Sequence, residues 1–328
     1  MSAGSATPPA RTGMAAPSAR VTIAAAATLI LAIVAFAALS FGGWPLLVAT
    51  LLFWAAAWWL TEMLAKLRPA SPATRRGLSV VIPLIFGLTI LVLWELVVRG
   101  LNIQPVLLPP PSAIGAAIAS STPLLWADFV QTFLKGVLSG YALGCGAGFL
   151  TALAIDRSSF LKRGLLPLGN LVSALPIVGV APIMVMWFGF DWPSKAAVVT
   201  ILTFFPMLVN TVAGLGTAGA MERDLMRTYA ASPAQSLLKL RLPAALPFIF
   251  NALKINATLA LIGAIVAEFF GTPIVGMGFR ISAEIGRMNT PMVWAEIAVA
   301  ALAGSLSYGL IALLERRATF WHPSIRRG

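Results

Sequence analysis

The sequence predicts an all-α polytopic membrane protein of about eight transmembrane helices, and three observations predict it. Of 328 residues, 59% are hydrophobic, against 23 Lys and Arg and 11 Asp and Glu, a balance that soluble domains do not reach. The apolar residues fall in runs that, at about 20 residues per crossing, supply roughly eight spans. The basic residues are dispersed over short segments between those runs, so the formal net charge of +12 reads as membrane loops and nucleic acid is not an expected partner. One Cys (Cys145) and one His (His322) exclude a disulfide framework and a Cys/His metal cluster within the chain.

Residues 1–20 are rich in Ala, Ser and Pro, carry Arg11 and Arg20 and no acid, and are expected to form a disordered cytoplasmic tail. The run Val21–Phe41 has the length of a span, whereas a signal-peptide core is roughly 7–15 residues. It leads through Gly42, Gly43 and Trp44 into Pro45–Leu64, so residues 21–67 are read as an accessory transmembrane hairpin. Residues 68–79, with two Pro and three Arg, are expected to be a linker. Six further spans follow within 80–328: Val80–Val98, Phe129–Ile155, Leu165–Phe188, Ala196–Gly216, Leu246–Phe269 and Met292–Leu314.

Orientation follows from Lys and Arg. Arg11 and Arg20, the Lys66 to Arg76 group, Arg157 with Lys162 and Arg163, the Arg223–Arg241 segment and the Arg316 to Arg327 group all fall on one side. The other side receives only Arg99, Lys195, Arg280 and Arg287. Both termini are therefore expected in the cytoplasm.

The most informative stretch is the loop spanning 218–245. Met221, Leu225, Met226 and Tyr229 recur at helical spacing, with Arg223, Asp224, Arg227 and Thr228 towards the other side, which predicts a short amphipathic helix. Ser232, Pro233 and Gln235 predict a capping box opening a second short helix, which Pro243 and Pro247 are expected to end. Such a pair fits a partner's groove, or rests on lipid headgroups.

Asp224-Leu225-Met226, three residues, Ala230, nine residues, then Leu240, one residue, and Leu242-Pro243 has the spacing of the EAA loop of permease subunits of binding-protein-dependent ABC importers. Asp224 stands for the family's Glu, Leu225 and Met226 for its two Ala, and Ala230 for its Gly. Ala231-Ser232 and Leu242-Pro243-Ala244-Ala245-Leu246-Pro247 keep the usual wording. Leu108-Pro109-Pro110-Pro111-Ser112, Pro176 to Pro182, Phe204-Phe205-Pro206, Ala267-Glu268-Phe269-Phe270-Gly271 and Val275 to Phe279 are similar, in order, to the nitrate/sulfonate/taurine branch, over roughly Val80 to Arg327.

The resemblance implies a type I importer with a six-helix core. In that family two copies of the permease form the path and two ABC ATPase subunits bind the cytoplasmic loops. An external or periplasmic solute-binding protein delivers the solute. The contact with the ATPase would fall on Asp224, Leu225, Met226, Arg227, Tyr229, Ala230, Ala231 and Ser232, with Leu240, Leu242 and Pro243 completing the loop. The chain contains no Gly-x-x-x-x-Gly-Lys-Ser/Thr phosphate loop, so it is expected to be no enzyme, to bind no cofactor and to rely on ATP held by partner subunits.

Within the spans, Asn210, Asn256, Pro176, Pro182 and Lys135 are candidates for the translocation path, Lys135 as an attraction for an anionic solute. For the two Asn the competing reading is a hydrogen bond joining helices, and for Lys135 and Glu268 a place at the outer interface. Gly136, Gly140, Gly144 and Gly148 give a smooth ridge for a close neighbouring helix. The alternatives in function are an ion-gradient-driven secondary transporter, which would show repeated halves, and a polytopic membrane enzyme, which would need titratable residues grouped inside the spans.

Overall fold

The computed structural model of the protein describes residues 19–67, 71–158, 164 and 176–321. The expected tail at 1–18, residues 68–70 of the expected linker, residues 165–175 of the expected fifth span, with Pro167, and His322 onward lie outside the described residues. Among the described residues there are helices and no strand. Of the helices formed by the described residues, seven are long and apolar enough to cross a membrane, and Pro111–Ser120 and Ile177–Phe188 are shorter apolar helices.

The chain divides into two compact units, with the boundary between Gly115 and Ala116. The first holds α1 (Ala19–Ala38), α2 (Gly43–Lys66) and α3 (Pro72–Gly100). Gly42 and Gly43, at φ of 61° and 54°, make the left-handed turn that folds α2 back on α1. Small residues on facing stripes, Ala35, Ala38, Ala49 and Ala57, then close around Leu46, Phe53 and Leu96. The helices α1 and α2 pack on each other, and part of the expected linker is helical. Ser71 caps α3 by accepting from the Ala73 amide at 3.3 Å, and Pro72 occupies the first turn, so 72–79 are helical and the third span begins before Val80.

The third span also groups with the hairpin rather than with the spans that follow. Its end is pinned through the Pro-rich phrase that follows it. Glu95, buried, accepts from the Ser112 amide at 2.9 Å and from its hydroxyl at 2.7 Å. Three prolines leave the preceding segment without amides to donate, and Ser112 supplies the first two donors after them.

The second unit contains the following helices: α5 (Thr122–Asp156), α6 (Ile177–Phe188), α7 (Trp192–Leu215), α8 (Ala220–Thr228), α9 (Pro233–Glu268), α10 (Met277–Gly286) and α11 (Thr290–Ala318). The helix α4 (Pro111–Ser120) precedes them across the boundary between the units. At its centre α7 packs against both α5 and α9. The glycine ridge explains the first of these contacts. A Cβ at Gly140 would lie 2.6 Å from the Val199 Cβ, at Gly144 2.6 Å from the Thr200 carbonyl, and at Gly148 3.0 Å from the Met207 Cβ, so only hydrogen at these positions lets the backbones approach. The described part of the expected fifth span is the twelve-residue α6, opened by Pro176 and carrying Pro182 inside it.

Candidate coupling site

The loop after α7 builds from its caps. The helix α8 has Glu222 in its first turn and Arg227 in its last, both suited to the helix dipole, and none of its residues is buried. Its end is a Schellman closure: the Ala230 amide donates to the Arg227 carbonyl at 2.8 Å and the Ala231 amide to the Met226 carbonyl at 2.9 Å. That closure requires a left-handed residue, and Ala230 supplies it at φ 50°. This is the position where the EAA wording has Gly, so the substitution leaves the geometry in place and adds the cost of a Cβ, about 1–2 kcal/mol.

The capping box expected at Ser232 is formed. The Gln235 amide donates to the Ser232 hydroxyl at 3.2 Å, and the Ser232 amide to the Gln235 side chain at 2.8 Å. Together the caps fix an exposed surface: Asp224, Leu225, Arg227, Tyr229, Ala230 and Ser232 are exposed, while Met226, Ala231, Leu240, Leu242 and Pro243 are half-buried. Met221, at 84% exposure, and Tyr229, at 78%, are apolar side chains with no cover among the described residues. Asp224 and Arg227 approach only to 3.5 Å and leave their charge available to a partner.

The second loop helix is not a separate short one. It runs on through Pro243 and Pro247 as α9, 36 residues in all, about 54 Å at 1.5 Å per residue. The helix continues for a local reason. Residues Leu237–Arg241 form a π turn, in which the Leu242 amide donates to the Leu237 carbonyl, and Pro243 follows directly. The widened turn makes room for a ring that has no N–H to give, so proline continues the helix here.

Where α9 leaves the loop, Arg241 joins it to the ends of two other helices. Its guanidinium donates to both oxygens of Asp156, the last residue of α5, at 2.6 Å each. It also donates to the carbonyl of Leu215, the last residue of α7, at 3.1 and 3.0 Å. In the sequence Arg241 is one loop charge among several. An acid closing an otherwise apolar run at Asp156 was the only local signal, and its partner lies 85 residues away.

At the opposite end of the same helices Glu268, expected at an interface, is buried. Its carboxylate accepts from Thr132 at 2.8 Å and from the Gly278 amide at 2.7 Å. Asp128, fully buried, accepts from the Gly276 amide at 2.6 Å and from Arg280 at 2.9 Å. Lys195, 1% exposed, donates to the carbonyls of Phe190 and Gly271.

The path candidates separate. Asn256 is fully buried and donates to the Thr203 carbonyl at 2.8 Å and to Cys145 at 3.2 Å, so it joins α9 to α7 and α5 and lines no surface of the chain. Asn210 is half-buried and turns back on the Pro206 carbonyl of its own helix at 2.8 Å. Lys135, Pro176 and Pro182 are exposed. Lys135 lies within the π turn Val130–Val137 and meets Gln131 at 3.1 Å, and Gln131 in turn reaches Asp191 at 2.7 Å. Hydrogen bonds from Gln131 and the Trp192 amide hold the Asp191 carboxyl below its usual range.

Residues 144–320, from the middle of α5 to the end of the last span, match the family model of the binding-protein-dependent transport system inner membrane component. A formylaminopyrimidine transport permease protein of Halalkalibacterium halodurans is 32% identical over 247 residues, covering 75% of this chain and 98% of that protein. A riboflavin transport system permease protein of Chloroflexus aurantiacus is 30% identical over 237 residues, 72% of this chain and 88% of the relative. The taurine transport system permease protein of Escherichia coli K12 is 28% identical over 245 residues, 72% and 88% of the two chains. A match that runs through the capped loop, the long helix leaving it and the final span shows the family: the chain belongs to the binding-protein-dependent inner-membrane permeases of ABC importers, in their nitrate/sulfonate/taurine branch.

Proposed function

We propose that two copies of this chain form the path of an ATP-driven importer, and that the segment Asp224–Ser232 seats in a cleft of each of two separate ATPase subunits. A small solute arrives from an external binding protein, and both termini and the loop face the cytoplasm. One observation carries the reading: a short loop helix with no buried residue, closed by a Schellman turn and joined through the Ser232 capping box to a single long helix. A rigid piece held by a moving ATPase and continuous with a span converts closure of the ATPase pair into rotation of that span. The apolar side chains of Met221 and Tyr229 are what such a cleft would bury. ATP stays on the partner subunits and the chain itself holds no cofactor. Lys135, Pro176 and Pro182, exposed on α5 and α6, are the remaining candidates for the path.

The test is Ala231→Glu. Ala231 is half-buried at the turn between the two helices, so a longer charged side chain disturbs a seated loop and leaves membrane insertion alone. Co-purification of the ATPase is expected to weaken about tenfold, or about 1.4 kcal/mol. Wild-type association, together with wild-type uptake in vesicles holding ATP with the ion gradient collapsed, would reject the assignment.

A further inference from the structure

A span driven by the loop moves its neighbours only if something holds them to it where the force enters. Packing alone is a weak tie between spans, because lipid tails replace an apolar neighbour at little cost. At the loop end, α5 and α7 finish within hydrogen-bond reach of one side chain. The Arg241 guanidinium is planar and presents its donors in a fixed fork: two reach the Asp156 carboxylate in parallel, and Nε and Nη2 take the Leu215 carbonyl. That carbonyl is one of those a helix end leaves without an internal partner. Arg241 itself closes the π turn, two residues before Pro243, so its backbone sits where α9 leaves the loop.

We propose that Arg241 is the positioning residue that makes α5 and α7 move with the loop, so that the force entering at Asp224–Ser232 turns three helices as one body. The proposal rests on the coupling reading above. Arg241 lies outside the segment assigned to the ATPase and touches neither nucleotide nor solute. Its contribution is directional. Four hydrogen bonds to two helix ends fix the angle at which α9 meets them at the loop end; the polar ties of α9 to α5 and α7 at Asn256 and Glu268 lie further along the span.

The experiment uses the full complex of permease, ATPase and binding protein in liposomes, and reads solute moved per ATP hydrolysed alongside ATPase co-purification. Arg241→Met and Asp156→Asn are expected to retain the ATPase and its hydrolysis while solute per ATP falls about tenfold, within the range that substitutions along a coupling route produce. Arg241→Lys, a point charge without the fork, is expected to fall between these and the wild type.

The decisive variant is the double substitution Arg241→Met with Asp156→Leu, which removes both charges and leaves apolar packing, a replacement that commonly preserves or raises stability. If the tie transmits motion, the double variant assembles and stays uncoupled. Recovery of wild-type stoichiometry in it would show that the pair only stabilises the fold, and would overturn the proposal. Failure of the double variant to assemble would do the same. Failure of the coupling reading itself is read separately, as ATPase association that Ala231→Glu does not change.

Discussion

The two ends of the second unit are built on opposite plans. At the loop end the polar groups point outward: α8 buries nothing, Asp224 and Arg227 barely meet, and even the tie of Arg241 to Asp156 keeps part of both side chains in reach of solvent. At the other end Asp128, Arg280, Glu268, Thr132 and Lys195 are buried and hydrogen-bonded to each other or to backbone. Burying charge is costly unless it is fully paired, and once paired it resists any rearrangement that would break the pairs. The difference separates a clamp from a handle. One end holds α5, α9 and α10 in a single arrangement, and the other offers a shaped surface with few internal commitments.

The largest effect is therefore expected at the clamp. Asp128→Ala leaves Arg280 buried without its carboxylate and the Gly276 amide without an acceptor, a loss of about 3–5 kcal/mol. Thermal unfolding of the detergent-solubilised protein should register it as a large drop in midpoint. An unchanged midpoint would erase the distinction between the two ends. Between them, Gly144→Leu tests the ridge. A Cβ there meets the Thr200 backbone, so α5 and α7 must separate, at about 1–3 kcal/mol or more. Gly146→Leu, on the open face of the same helix with nothing near its Cβ, is the matched control and should change the midpoint little.

The smallest effect is expected at the handle, with the opposite sign. Ala230→Gly removes a Cβ from a left-handed residue and should stabilise the Schellman closure by roughly 1 kcal/mol or less, since glycine also loses more freedom on folding. Slower amide exchange at Ala231, whose N–H closes the motif, would register the gain. Exchange that speeds up would show that Ala230 is held left-handed by its surroundings rather than against its own preference.

Much of the loop was legible because its information is local. A capping box is set by Ser232 and Gln235 three residues apart, and an EAA spacing by residues within one short segment, so a window on the sequence contains both partners of each interaction. The glycine ridge was legible for the same reason, since a four-residue repeat defines a face without reference to what packs on it. The end of the second loop helix was misread. Pro243 and Pro247 are helix breakers by propensity, and only the π turn before them shows how the helix absorbs the first. The start of α3 was misplaced because the same Ser71 and Pro72 that suggest a linker also cap and open a helix.

By itself the sequence determined the class of the protein, its series of apolar helices and the segment most suited to meeting a partner. Apolar run length, cap chemistry and motif spacing are properties of neighbouring residues. Tertiary structure decided the pairings. Asp128 finds Arg280 across 152 positions, Thr132 finds Glu268 across 136 and Asp156 finds Arg241 across 85. It also decided that Asn256 is helix-to-helix glue while Lys135 faces outward, because an identical polar atom is a tie or a surface depending only on which helix lies against it. Charge in a membrane span must find a partner, but the requirement is met by whichever helix the fold brings near, and nothing in a local window fixes which one that is.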